Sequence, residues 1–280
     1  MSGALIAGGV PAAAPPVTSV AVTAVAAVVC GVIGLCVGSF LNVVISRVPR
    51  KESVIRPRSH CPSCQATLAD RDNIPLLSWV LLRGRCRACG EPISLRYPLV
   101  EAGTAALFVA AAIRLGATWS LPAFCVFFAA LLAVSVIDLH HYIIPNRVVY
   151  PTLFLVVPLM ALAAAADGRW SHFEHAVLGG LAAFAALFVV HLISPRGMGF
   201  GDVRLAGVIG FMAGWLGFSY VALALFLAFL LASVIGIVLM VARLKSRRDA
   251  VPFGPFMAAG AVLAVLWGPA ILDAYTRSRG

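Results

Sequence analysis

Apolar stretches long enough to cross a bilayer follow one another through most of this 280-residue chain, broken by short polar turns and one longer polar segment. In hydrocarbon every backbone N–H and C=O must find a partner inside the protein, and runs of this length meet that need as helices. The windows lie near 18–45, 97–113, 119–137, 148–166, 173–193, 203–214, 218–242 and 252–274. They predict an all-α polytopic membrane protein with about eight transmembrane helices. The sixth window is short, so a tilted or half-depth segment is expected there. A chain that is 61% hydrophobic and only 11% charged is not a soluble domain. The expected organisation is an N-terminal lead at 1–17, a first transmembrane helix at 18–45, a cytoplasmic loop domain at 46–96 and a transmembrane bundle at 97–280. The lead has no Lys or Arg, hence no basic region of a signal peptide, and the first apolar segment is expected to stay as an anchor.

The net charge of +10 invites a nucleic-acid reading, but its distribution excludes one. With the N-terminus placed outside, four basic residues (Arg114, Arg169, Arg277 and Arg279) fall on the outer side, and the rest of the 21 Lys and Arg fall on the other. The positive-inside rule makes that richer side cytoplasmic. The charge therefore reports topology, and the partner it implies is the lipid bilayer.

The polar segment contains Cys61-Pro62-Ser63-Cys64 and Cys86-Arg87-Ala88-Cys89. Two such knuckles at this separation suit a tetrahedral four-cysteine zinc site, each knuckle turning two thiolates toward one ion. A small segment poor in large apolar residues cannot hold itself by a core, and a metal staple supplies the missing stability. Disulfides are the alternative, disfavoured where thiols stay reduced. Cys30, Cys36 and Cys125 lie within apolar windows and read as small packing residues.

Two acids stand at the edges of apolar windows. Asp138 opens Asp138-Leu139-His140-His141-Tyr142-Ile143-Ile144-Pro145-Asn146, and Asp202 follows Gly197-Met198-Gly199-Phe200-Gly201. A carboxylate near membrane depth costs about 2.5–3.5 kcal/mol on insertion scales, so acids placed there are functional candidates. Both fall on the cytoplasmic side of the topology above. Two carboxylates that approach closely share one proton, which suits acid and base catalysis. Gly199 and Gly201 are read as supporting the turn that aims Asp202 and as letting a substrate backbone come close. Plainer readings stand beside this one: Asp202 as a helix N-cap, Asp138 as an acid facing water, or both as proton-coupling groups of a membrane transporter. Glu101 reads as a helix cap, Asn42 as a hydrogen-bonding residue inside the bundle, and His191 as a packing residue.

Taken in order, these segments resemble the bacterial type IV prepilin peptidases, membrane aspartyl proteases of the GxGD class. The resemblance rests on Gly38-Ser39-Phe40-Leu41-Asn42-Val43, Arg47-Val48-Pro49, both cysteine pairs, Asn73-Ile74-Pro75-Leu76-Leu77-Ser78-Trp79, Arg83-Gly84-Arg85-Cys86 and Ile93-Ser94-Leu95-Arg96-Tyr97-Pro98-Leu99-Val100-Glu101. It continues through the Asp138 and Asp202 blocks to Pro252-Phe253-Gly254-Pro255-Phe256. It implies that Asp138 and Asp202 form the catalytic pair and that Cys61, Cys64, Cys86 and Cys89 bind zinc. It further implies cleavage of type IV prepilins and pseudopilins at the cytoplasmic face of the inner membrane. Methylation of the new N-terminus, with S-adenosylmethionine as donor, is implied as a second step. Two positions depart from the family pattern: Arg204 stands where lysine is expected, and Asn146 where aspartate is common. The oligomeric state has no signature in the sequence.

Overall fold

The computed structural model describes residues 17–56, 58–61, 63–195, 197–244 and 251–278. Residues 1–16 of the 1–17 lead, Pro62 of the first cysteine knuckle, and Arg196, Lys245, Arg247, Arg248 and Arg279 of the charge pattern lie outside the described residues, and Val17, the last residue of the lead, opens α1. The helices, in order, are α1 (Val17–Arg47), α2 (Leu77–Leu81), α3 (Arg96–Leu115), α4 (Leu121–His141), α5 (Asn146–Asp167), α6 (Trp170–Ile193), α7 (Phe200–Gly214), α8 (Phe218–Val241) and α9 (Gly254–Arg277). Among the described residues the extended structure is limited to two isolated bridges in the cysteine loop. Among the described residues, seven helices are long and apolar enough to cross a membrane. The short sixth apolar window became α7, whose 15 residues are too few for that. At 1.5 Å per residue it reaches roughly 22 Å, against a hydrocarbon core of roughly 30 Å.

Small residues decide which helices touch. Water is not there to drive helices together, so close backbone approach and its dispersion energy must do it. On α1, Gly34 and Gly38 lie one turn apart and face α3: a Cβ at either would fall 2.6 Å from the Cα of Ala105 or Glu101. Gly179 and Gly180 on α6 meet Gly207, Gly210 and Gly214 on α7 in the same way. On α9, Gly260 lies against the backbone of Ala224 and Ala228 on α8. Three helix pairs, α1 with α3, α6 with α7 and α8 with α9, are thus joined through glycine faces.

Two helices form the middle. α4 touches α1, α3, α5 and α9, and its Phe124, Phe127 and Phe128 have no exposed surface. α7 touches α5, α6, α8 and α9 and is buried along most of its length. The acids sit at neighbouring ends of this pair of central helices.

Two boundaries differ from the hydropathy windows in a way that matters. α4 runs on past Asp138 to His141, so the acid lies within its last turn. α7 starts at Phe200, so Asp202 is the third residue of the helix and Gly199 occupies the N-cap position. Hydropathy marks the part of a helix suited to lipid, whereas backbone hydrogen bonding continues into polar residues; histidines are well placed at a helix C-terminus, where they meet the negative end of its dipole.

Candidate active site and metal centre

Asp138 and Asp202 are both buried, and they lie within electrostatic reach of each other. Each is held by a glycine N–H at the start of a helix. The Gly254 N–H, at the first residue of α9, donates to Asp138 Oδ2 at 2.9 Å. The Gly199 N–H donates to Asp202 Oδ2 at 3.0 Å, so Asp202 reaches back over the start of its own helix. Exposed N–H groups and the positive dipole end at helix N-termini favour a negative charge, and here they offset part of the cost of burying two acids. α9 packs against both α4 and α7, so it ties the two acid-bearing helices together. A polypeptide bond reaching this pair would meet a group able to take a proton beside a group able to give one.

The glycines around the pair act through close contact. A Cβ at residue 254 would stand 2.8 Å from Asp138 Oδ2, so any side chain there would push the helix start off the carboxylate. A Cβ at residue 201 would lie 2.9 Å from the Cβ of Ile144, which belongs to the turn after α4. Gly199 has a φ of −71°, a conformation that every residue adopts. Its Cβ position lies 3.2 Å from Asp202 Oδ2. The N-cap expectation for Asp202 therefore changes in detail, because the acid caps from inside the first turn.

Three groups near the pair had no assigned role from sequence. Gly254 belongs to the Pro-Phe-Gly-Pro-Phe segment, whose pattern stood out without showing which atom mattered. Asn146 and Arg204, the two departures from the family pattern, are partners: an Arg204 Nη1–H donates to Asn146 Oδ1. Their spacing of 58 residues hides that contact in the sequence. His140 turns back to the Val136 carbonyl at 2.7 Å, and His191 faces the Met198 carbonyl at 2.8 Å, as a packing histidine does.

Glu101 corrects the sequence reading. It does not cap its own helix; buried on α3, its Oε2 accepts the N–H of Leu76 at 2.7 Å. Leu76 has a φ of +57°, which turns its N–H toward the carboxylate at the start of α2. The bundle and the cysteine loop are joined there. Asn42 keeps its predicted role, with Nδ2–H donating to the Tyr97 carbonyl at 3.1 Å.

The four loop cysteines gather as their spacing required. All are free thiols, and the ligand atoms of Cys61, Cys64, Cys86 and Cys89 lie within 4.8 Å of one another. Cys61 Sγ and Cys89 Sγ are 3.9 Å apart. A tetrahedral ion with bonds of about 2.3 Å to sulfur needs sulfur atoms about 3.8 Å apart, so the donor set fits such an ion. The knuckles share one backbone design, a local repeat that the sequence did not reveal. In each, the first cysteine N–H donates to the carbonyl five residues on (Ala66 or Glu91), and its carbonyl accepts from the N–H four residues on (Gln65 or Gly90). The fourth residue has positive φ in both, 58° at Gln65 and 74° at Gly90. Backbone N–H groups of Cys64 and Ser63 lower the Cys61 thiol to about 6, which favours the thiolate a metal needs. His60 faces the Arg58 carbonyl and is not part of the cluster.

Comparison with known proteins places these features in context. Residues 32–115 match the Bacterial Peptidase A24 N-terminal domain, and residues 125–241 match the Type IV leader peptidase family. The chain is 37% identical over 246 residues to the prepilin leader peptidase/N-methyltransferase of Bacillus subtilis (strain 168), spanning 88% of this chain and 96% of that protein. A protein of the same name from Stutzerimonas stutzeri is 34% identical over 288 residues, covering 93% of this chain and 97% of its own. The Myxococcus xanthus (strain DK1622) relative is 40% identical over 216 residues, covering 75% and 62%. No solved structure matches the chain.

Proposed function

The chain belongs to the type IV leader peptidase family, and from that premise we propose that it cleaves the leader from type IV prepilins and pseudopilins, with Asp138 and Asp202 as the catalytic pair. The observation that carries the reading is that two buried acids, each accepting a glycine N–H at a helix start, lie within electrostatic reach of each other. One carboxylate, ionised, takes a proton from water as the oxygen attacks the scissile carbonyl carbon. The other, protonated, gives its proton to the carbonyl oxygen. Collapse of the tetrahedral intermediate breaks the C–N bond, and the new amine leaves with a proton returned from the pair. Each acid accepts one glycine N–H, and the acid and base roles are assigned to the pair as a unit.

The membrane orientation that suits this reaction has the N-terminus outside and the acids at the cytoplasmic face of the inner membrane. The substrate's apolar helix would lie in the bilayer against the bundle, with its basic leader at the surface. Proton-coupled transport, the rival reading of the same acids, gains nothing from the relatives.

The four cysteines would hold Zn2+. With four protein ligands a tetrahedral ion has no open position, so its part is structural. The named relatives are also N-methyltransferases, and we extend that second activity to this chain, with S-adenosylmethionine as the donor. A cavity of about 400 Å3 lies between α1 and the cysteine loop, lined by Cys36, Ser39, Phe40, Val43, Ser59, Asn73 and Pro75. Its lining has no carboxylate for a sulfonium or a ribose, so these residues do not fit the donor.

Intact mass spectrometry of a prepilin incubated with membranes holding this protein tests the reading. Loss of the leader mass is expected, and Asp138→Asn and Asp202→Asn proteins, inserted normally, should leave the precursor whole. Cleavage by either variant at a rate near the parent's would sink the aspartyl mechanism.

A further inference from the structure

The acid-bearing segments meet at more than their carboxylates. α4 closes at Tyr142 with a φ of 55°, and Ile143, Ile144 and Pro145 lead straight to Asn146 at the start of α5. Gly201 lies against Ile144 of this turn, so the first turn of α7 rests on it. Arg204 is two residues beyond Asp202 on the same helix, and residues so spaced do not face each other. The Arg204 guanidinium goes elsewhere. It donates to Asn146 Oδ1, and its Cζ lies 4.3 Å over the Phe200 ring and 5.9 Å from the Tyr150 ring. Phe200 is itself fixed by ring contacts with Phe184, Phe188 and His191.

We propose that Arg204 is a positioning residue for the aspartyl pair: through Asn146 it locks the turn that follows Asp138 to the turn that carries Asp202. The proposal rests on the peptidase reading above. Its physical basis is that proton transfer in the pair needs a fixed separation, and that the two acids stand on segments joined in sequence only through α5 and α6. Neutral Asn146 accepts the guanidinium hydrogen bond without adding a third carboxylate near the pair. A carboxylate at this position would be tolerated only while a cation faces it. A lysine at position 204 keeps the charge but loses the planar face that lies over Phe200.

Cleavage of a purified prepilin by the full-length protein, with kcat and KM measured separately, tests this. Arg204→Ala should lower kcat by about tenfold to a hundredfold while KM moves by less than about threefold, the pattern of a misplaced catalytic group. Arg204→Lys should recover part of the rate. Asn146→Asp alone should stay within about threefold of the parent, yet added to Arg204→Ala it should cut the rate well below Arg204→Ala alone. Thermal unfolding shows whether each variant is folded. If Arg204→Ala is not, the comparison moves to the Arg204→Lys background, where Asn146→Asp must cost little. A parent-like kcat in Arg204→Ala, a loss confined to KM, or an equal cost of Asn146→Asp with and without the cation overturns the proposal. A parent protein that cuts no prepilin overturns the peptidase reading itself.

Discussion

The cysteine loop and the helical bundle hold their chains by opposite means. The loop has short helical pieces, two isolated bridges and a four-thiol cluster, and its polar contacts are specific: Arg87 with Asp72, the Trp79 indole N–H with the Ile93 carbonyl, and Leu76 with Glu101. The bundle uses glycine faces and buried aromatic residues, with few polar contacts between helices. The loop can therefore lose its structure through one ligand, whereas the bundle loses stability gradually as packing is disturbed. The candidate chemistry sits where the bundle departs from its own rule and buries Asp138 and Asp202, apart from Glu101 at the loop junction.

If that contrast is right, the largest effect belongs to the acids and should leave the fold alone. Asp202→Asn is expected to lower prepilin cleavage by about 10²–10⁴-fold, with bound metal and thermal unfolding unchanged. A fall in metal content along with activity would show that the two regions are coupled more tightly than their packing suggests.

Next comes the cluster. Cys86→Ser should reduce bound zinc from about one ion per chain and open the loop to protease while the bundle stays protected. Elemental analysis together with limited proteolysis checks both halves, and a metal-free parent protein would remove the zinc reading. Within the bundle, Gly210→Ala would drive a Cβ into the Gly179 carbonyl and Ala183. Overpacking of this kind costs about 1–3 kcal/mol, so a lower midpoint of thermal unfolding is expected, with the metal retained.

Glu101→Ala sharpens the boundary between the regions, since it strips the Leu76 N–H of its acceptor. The half-buried donor left behind costs up to about 1–3 kcal/mol, and faster hydrogen exchange should appear in the loop around Leu76 rather than in α7. The smallest effect is at Asp72. Arg87, through its hydrogen bonds, holds the Asp72 carboxyl below the usual carboxylate range. A carboxyl lowered on folding stabilises the protein above its unfolded value and loses that contribution as the pH falls through the lower folded value. Asp72→Asn should thus soften the loop slightly at neutral pH, and the difference from the parent should vanish in strong acid.

Much of this was readable along the chain. The apolar windows placed every long helix, and the two cysteine pairs at their spacing announced a four-thiol cluster. Asp138 and Asp202 stood out because acids in such surroundings are costly. The helix ends were not legible, because hydropathy falls before hydrogen bonding stops; α4 therefore carries Asp138 inside its last turn. Glu101 looked like a cap because its helix start is close in sequence, while its true partner Leu76 is 25 residues back in a strained loop.

By itself, then, the sequence determined the all-helical class and the gathering of four cysteines, and it singled out Asp138 and Asp202 as candidates, because each reading rests on composition or on spacing within a short stretch. Only the tertiary structure decided that Gly254 supports Asp138, that Gly201 seats against Ile144, and that Arg204 reaches Asn146. Those contacts join residues far apart in the chain. They depend on which helix faces lie together, and that is fixed by the summed packing of small residues across the whole bundle rather than by any local pattern.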